Sequence, residues 1–123
     1  MRFVLLVGTG SFIGGVLRYF LSTLVQNRYL TTYPIGTLTV NILGSFLIGL
    51  IFGLSERSNI SMEWRLFLAT GILGGFTTFS SFSNETIGLI REGQYWLAGS
   101  YVTFSVVLGL LATFSGLTLV KFL

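Results

Sequence analysis

Gly71-Ile72-Leu73-Gly74-Gly75-Phe76-Thr77-Thr78-Phe79-Ser80-Ser81-Phe82-Ser83-Asn84-Glu85-Thr86 is the stretch on which the reading of this chain turns. It sits inside an apolar segment that runs from about Trp64 to Ile90, long enough to cross about 30 Å of hydrocarbon as a helix. Gly74-Gly75 followed by two threonines is nevertheless a poor helix interior, even with the tolerance of glycine in membranes. The stretch therefore predicts a transmembrane helix broken near its middle. Irregular backbone at that depth survives only where protein or a wet cavity satisfies it, and the carbonyls it releases are good ligands for Na⁺ or another hard cation. The competing reading is an ordinary helix with a close-packed glycine face.

Beyond the break, Phe79 and Phe82 are three residues apart and point the same way, with Ser80 and Ser81 beside them. An aromatic pair at this spacing usually faces lipid or core. Here it falls in the most hydroxyl-rich part of the chain, which argues for a lined path. A phenyl ring has a positive edge, so two rings turned edge-on can contact an anion without a full charge.

The remainder of the chain has the same character. Four spans are expected, at about 3–25, 35–54, 64–90 and 95–120, joined by short connections, and Pro34 suits the N-terminus of the second. The expected architecture is an all-α membrane protein, one four-helix transmembrane domain over residues 1–123. Of the 123 residues 52% are hydrophobic and 16 are glycine, while only 9% are charged against roughly 25% in soluble domains. A chain of this size has too little interior to hide that surface from water. A signal peptide at the N-terminus is disfavoured, because no A-x-A-like site follows and Arg18 lies late in the segment.

Seven Lys/Arg against four Asp/Glu, in no run and on no single face, do not support nucleic-acid binding. With no Cys and no His, the chain has no disulfides, thiolate or imidazole metal ligands, nucleophilic Cys or His base. The segment Val7-Gly8-Thr9-Gly10-Ser11-Phe12-Ile13-Gly14-Gly15 fails the G-x-G-x-x-G spacing of a dinucleotide turn and reads as a glycine-packed membrane helix. Arg2, Arg57, Arg65 and Lys121 fall at one end of the bundle and Arg28 and Arg91 at the other, a weak positive-inside bias. Either few loop charges are simply the habit of small proteins, or the chain inserts both ways and pairs with an inverted copy.

Within the second span Thr37, Asn41, Ser45, Gly49 and Gly53 recur every four residues on one drifting face. Ser45, Gly49 and Gly53 read as a packing surface for close helix approach, so that Gly49→Leu should disrupt assembly. Asn41 is costly at bilayer depth unless bonded. It is either glue between helices or an amide donor to an anion. Arg18 either draws anions into a vestibule or snorkels to the surface. Glu85 reads as a hydrogen-bond acceptor near the far end of the third helix, or as a proton-coupling carboxylate. The residues alone thus reach a small-anion path beside a cation-binding break.

Three motifs carry a resemblance. They are Gly10-x-x-x-Gly14-Gly15-x-x-Arg18-Tyr19, Gly36-Thr37-Leu38-x-Val40-Asn41-x-x-Gly44-x-Phe46, and Gly71-x-x-Gly74-Gly75-Phe76-Thr77-Thr78-Phe79-Ser80-Ser81-Phe82. In these, and in length and span number, the chain resembles the Fluc (CrcB-type) fluoride channels over essentially its whole extent. Gly15 stands where that family usually has Ala, and Ser81 where it usually has Thr; both keep the size or hydroxyl character.

The resemblance implies an antiparallel dual-topology dimer with two fluoride pores at the subunit interface. It implies pore residues Asn41, Phe79, Phe82, Ser80, Ser81, Thr37 and Tyr101, a vestibule arginine at Arg18, and a structural Na⁺ on the carbonyls of Gly74 and Thr77. The function implied is passive fluoride efflux across the plasma (inner) membrane, with no catalysis; the partner is a second copy, or a paralogous chain. Two other readings compete. A proton-coupled small multidrug exporter would need Glu85 as its coupling acid, since no acid precedes Glu56. A non-transporting membrane assembly subunit would be inert alone.

Overall fold

In the computed structural model, which describes residues 1–123, four helical segments are long and apolar enough to cross a membrane: Arg2–Tyr29, Ile35–Ser58, Met62–Arg91 and Tyr95–Val120. There are no strands. The first is α1 (Arg2–Tyr29) and the second α2 (Ile35–Ser58). The third span is composite. It begins as α3 (Met62–Arg65), runs in π-helical register over Leu66–Leu73, and continues through α4 (Gly74–Phe76). It resumes as α5 (Phe79–Arg91), and α6 (Tyr95–Val120) completes the chain. Relative to the sequence expectation, α1 and α2 each extend about one turn further at their C-termini.

The turns follow from local chemistry. Pro34, which has no N–H to leave unpaired, precedes α2. Asn59 ends α2 in the left-handed region at φ 53°, where a short polar side chain is tolerated. Between α5 and α6 the φ of Gly93 is +77°, which a β-carbon would oppose. Ser61 caps α3 by accepting from the Trp64 N–H at 3.3 Å.

The chain runs up and down four times. At one end Arg2 pairs with Glu63 at 3.7 Å, joining the starts of the first and third spans, and Arg57 donates to the Val120 carbonyl at 2.5 Å, joining the ends of the second and fourth. Packing proceeds from the π-helical stretch and α4 onto α1, from α1 onto α2, and from α2 onto α6. The first and last of these contacts are the most extensive. After Phe76 the third span crosses over α2 and α5 packs on α6, so the two halves of one span lie on opposite flanks of α2.

Small residues set these contacts. Gly10 and Gly14 of α1 face the π-helical stretch so closely that a methyl at Gly10 would sit 2.6 Å from the Phe67 carbonyl oxygen, and one at Gly14 would overlap that of Ile72. Gly49 and Gly116 do the same for α2 and α6, with Thr113 donating to the Ser45 carbonyl at 3.0 Å across the seam. The stripe of Ser45, Gly49 and Gly53 thus packs inside one chain, against α6. A Gly49→Leu change accordingly strikes the fold of the subunit itself.

Only 18 of 123 residues are buried, and large apolar side chains such as Phe12, Phe20, Leu110 and Phe114 point outward. In water such a surface would aggregate. In a bilayer it meets lipid or another membrane protein.

Candidate functional site

Between α4 and α5 the two threonines leave the helix: Thr77 has φ −95°, ψ 159° and Thr78 φ −151°, ψ 122°. The Thr77 N–H still closes on the Leu73 carbonyl at 3.0 Å. The Thr78 N–H does not close on Gly74, as the i→i−4 pattern of an unbroken helix would require. It donates instead to Asn41 Oδ1 at 2.8 Å, and Asn41 Nδ2 donates back to the Thr78 carbonyl at 3.0 Å. One side-chain amide thus pairs with both backbone polar groups of Thr78. Helix is re-initiated by the Thr78 side chain, which accepts from the Ser81 N–H at 3.1 Å as an N-cap. The Gly75 carbonyl, which would have bonded to Phe79, accepts from Arg18 Nε at 2.9 Å.

Asn41 therefore sits where α2 meets this crossing, one turn before Gly44, where even a methyl would overlap Thr77 Cγ2. Its second Nδ2 hydrogen remains for another acceptor. Arg18 reaches the crossing from α1, half-buried, and neither lies flat on the helix surface nor stands free. Asn41, Ser45, Gly74, Thr77, Thr78 and Phe79 line an open cleft of about 340 Å³ at this point. Gly74, whose carbonyl has lost its helical donor to Asn41, is one of the residues that line that cleft. A backbone carbonyl is a hard oxygen donor of the kind that suits Na⁺, and Thr77, where the backbone turns extended, lines the same cleft.

From the cleft a series of rings leads away. Phe79, 77% exposed, has its centroid 5.5 Å from Phe82; Phe82 lies 5.1 Å from Tyr101; and Tyr101 lies 5.7 Å from Tyr33. Tyr101 is fully buried. Its hydroxyl donates to Glu85 Oε1 at 3.0 Å, while Thr37 Oγ1 donates to Glu85 Oε2 at 2.9 Å. Both carboxylate oxygens are engaged, so Glu85 is the acceptor at the centre of a three-residue cluster. It also borders a cavity of about 250 Å³ lined by Ser22, Thr23, Gln26, Asn27, Gly36 and Thr37, none of them hydrophobic.

The residues singled out from the sequence thus form two groups. Asn41, Gly74, Thr77 and Phe79 meet at the cleft, Thr37 and Tyr101 meet at Glu85, and Phe82 bridges the two. Ser80 is exposed, its hydroxyl 3.2 Å from that of Thr78, and Ser81 contributes its N–H to the cap. Arg18 stands apart from the cleft, behind Gly75. Sequence reasoning passed over Tyr33, and also Ser105, whose hydroxyl is buried in α6 without a hydrogen-bond partner. No spacing links either to the motifs, because both are brought in from separate elements by packing.

Residues 5–117 match the family model described as CrcB-like protein, Camphor Resistance (CrcB). A protein of Flavobacterium psychrophilum called fluoride-specific ion channel FluC is 47% identical over 123 residues, covering 98% of each chain. Proteins of the same description from Parabacteroides distasonis and Agrobacterium fabrum are 47% and 48% identical, over 96% and 94% of this chain and 92% and 94% of theirs. Four apolar spans make this a multi-pass membrane protein, which in a bacterium places it in the inner membrane. On the extent of these matches the chain belongs to the CrcB, or Fluc, family of fluoride ion channels, and it is not an enzyme.

Proposed function

We infer that this chain is a fluoride-selective channel that works as an antiparallel, dual-topology dimer and lets fluoride leave the cytoplasm passively. Fluoride enters cells as HF and dissociates in the more alkaline cytoplasm, so a passive path for the anion suffices. The ion would pass Asn41 and the edges of Phe79 and Phe82, then the hydroxyls of Ser80, Ser81, Thr37 and Tyr101, with Arg18 raising the local anion concentration at the vestibule. Na⁺ held by the Gly74 and Thr77 carbonyls would supply a fixed positive charge at the dimer centre. Two carbonyls from one chain are too few for such an ion, and an inverted copy doubles them.

The observation that carries this reading is the ring series from an exposed Phe79 to a buried Tyr101 whose hydroxyl is fixed on Glu85. The Phe79 ring packs on Phe82 but lies 77% exposed beside the pairing of Asn41 with Thr78, outside any core of the single chain. Opposite a second copy, it offers a positive edge to a dehydrated anion. The reading is tested by loading liposomes that contain only this protein with KF, triggering with a potassium ionophore and following fluoride with an electrode, with KCl-loaded vesicles in parallel. Fast fluoride release with little chloride release is expected. Equal release of both ions, or none, would overturn it.

Phe79→Ile should slow fluoride release about tenfold, because an aliphatic side chain has no polarised edge. Subunit folding should be unchanged, since Phe79 is 77% exposed in the single chain and supports none of its core, and Ile keeps an apolar side chain facing the second copy. Release at the wild-type rate would remove Phe79 from the path.

A further inference from the structure

We propose that Tyr33, in the connection between α1 and α2, is a positioning residue for fluoride passage: it holds the ring of Tyr101 so that the Tyr101 hydroxyl stays on Glu85. This rests on the reading of Tyr101 as part of the fluoride path.

Tyr101 takes no support from solvent or lipid, being fully buried, and two aromatic rings pack on it. One is Phe82 of α5. The other is Tyr33, edge-to-face at an interplanar angle of 78°. A phenol hydroxyl lies at the far end of its ring, so a small rotation of the ring moves it out of hydrogen-bond range of Glu85 Oε1. Whatever fixes the ring fixes the bond.

Tyr33 is itself anchored more firmly than a loop residue needs to be. Its N–H donates to Thr31 Oγ1 at 3.1 Å. Its carbonyl accepts from Gln26 Nε2 at 3.0 Å and from the Ile35 N–H at 2.8 Å. Its hydroxyl accepts from Ser100 Oγ of α6 at 3.3 Å. Gln26 also accepts from the Gly36 N–H at 3.1 Å, so α1 clamps both sides of the loop through one side chain. The position of the Tyr101 hydroxyl is thereby set by the α1–α2 loop as well as by α5. Tyr33 belongs to none of the three sequence motifs.

Fluoride release is measured for the full-length wild type, Tyr33→Leu, Tyr33→Phe, Tyr101→Phe and the Tyr33→Leu/Tyr101→Phe double variant, each with its elution profile and melting temperature. Tyr33→Leu should release fluoride about tenfold more slowly, while Tyr33→Phe, which keeps the ring, stays within about twofold of wild type. The double variant should be no slower than Tyr101→Phe alone, because no hydroxyl remains to be positioned. A purely structural Tyr33 would lower the melting temperature and leave that non-additivity absent. Should Tyr33→Leu not fold, Tyr33→Met takes its place in the same cycle. Wild-type flux in the Leu or Met variant, or losses that simply add in the double variant, would overturn the proposal. A wild type that releases no fluoride would overturn the channel reading instead, before any Tyr33 variant is compared.

Discussion

Asn41→Ala is expected to slow fluoride release from proteoliposomes about 30-fold, a loss of roughly 2 kcal/mol at the rate-limiting step. Two separate deficits contribute. The amide donor that would face the ion is gone, and the N–H and carbonyl of Thr78 lose the partners they have at 2.8 and 3.0 Å. An unsatisfied backbone group away from water costs about 1–3 kcal/mol, and the nearest relief is for the Thr78 N–H to swing back toward Gly74. That would rebuild helix through the crossing and tie the Gly74 carbonyl into a helical hydrogen bond. Asn41→Asp restores part of the second deficit: it keeps the acceptor for the Thr78 N–H, loses the donor to the Thr78 carbonyl and puts a negative charge into an anion path, so it should remain folded and still conduct slowly. Fluoride release at the wild-type rate from Asn41→Ala would remove Asn41 from both roles.

Gly14→Ala should be the most destabilising single methyl in the protein. The added carbon would overlap the Ile72 carbonyl oxygen and approach Phe76 N to 2.9 Å, and both are backbone, so no side chain can rotate aside. Overpacking typically costs about 1–3 kcal/mol, and separation of α1 from the π-helical stretch adds to that. Purified Gly14→Ala should lose its monodisperse elution peak or unfold at a clearly lower temperature. Gly15→Ala is the control. A methyl there meets nothing within 4 Å, and Ala is a better helix former than Gly by about 1 kcal/mol, so this variant should match or exceed the wild type. Equal melting temperatures for the two variants would mean that α1 does not rest on the third span as described.

These two sites differ in how far the sequence announced them. Gly14 was legible as one of a run of small residues on a membrane helix, because small-xxx-small spacing has one main use in lipid. Its partner was not. The π-helical register of Leu66–Leu73 leaves no mark in composition, and the Ile72 carbonyl that meets Gly14 lies within it. Asn41 was legible as an amide too polar for its depth. That it satisfies both backbone groups of one residue 37 positions later was not, since a side-chain amide is equally good glue anywhere on a neighbouring helix.

The sequence by itself determined that this is a four-span helical membrane protein without thiol, imidazole or disulfide chemistry, and that its unusual chemistry is concentrated in residues 71–86. Those conclusions rest on hydropathy, spacing and residue inventory, which are local and additive along the chain. The tertiary structure decided which side chains meet. Only the crossing of the third span over α2 sends α4 to α1 and α5 to α6, and so unites Thr37, Glu85 and Tyr101 from three separate spans. That pairing is long-range. Each partner is one of several hydroxyls or rings at the same helical spacing, and the choice among them is made by how closely glycines such as Gly36, Gly44 and Gly49 let the backbones approach.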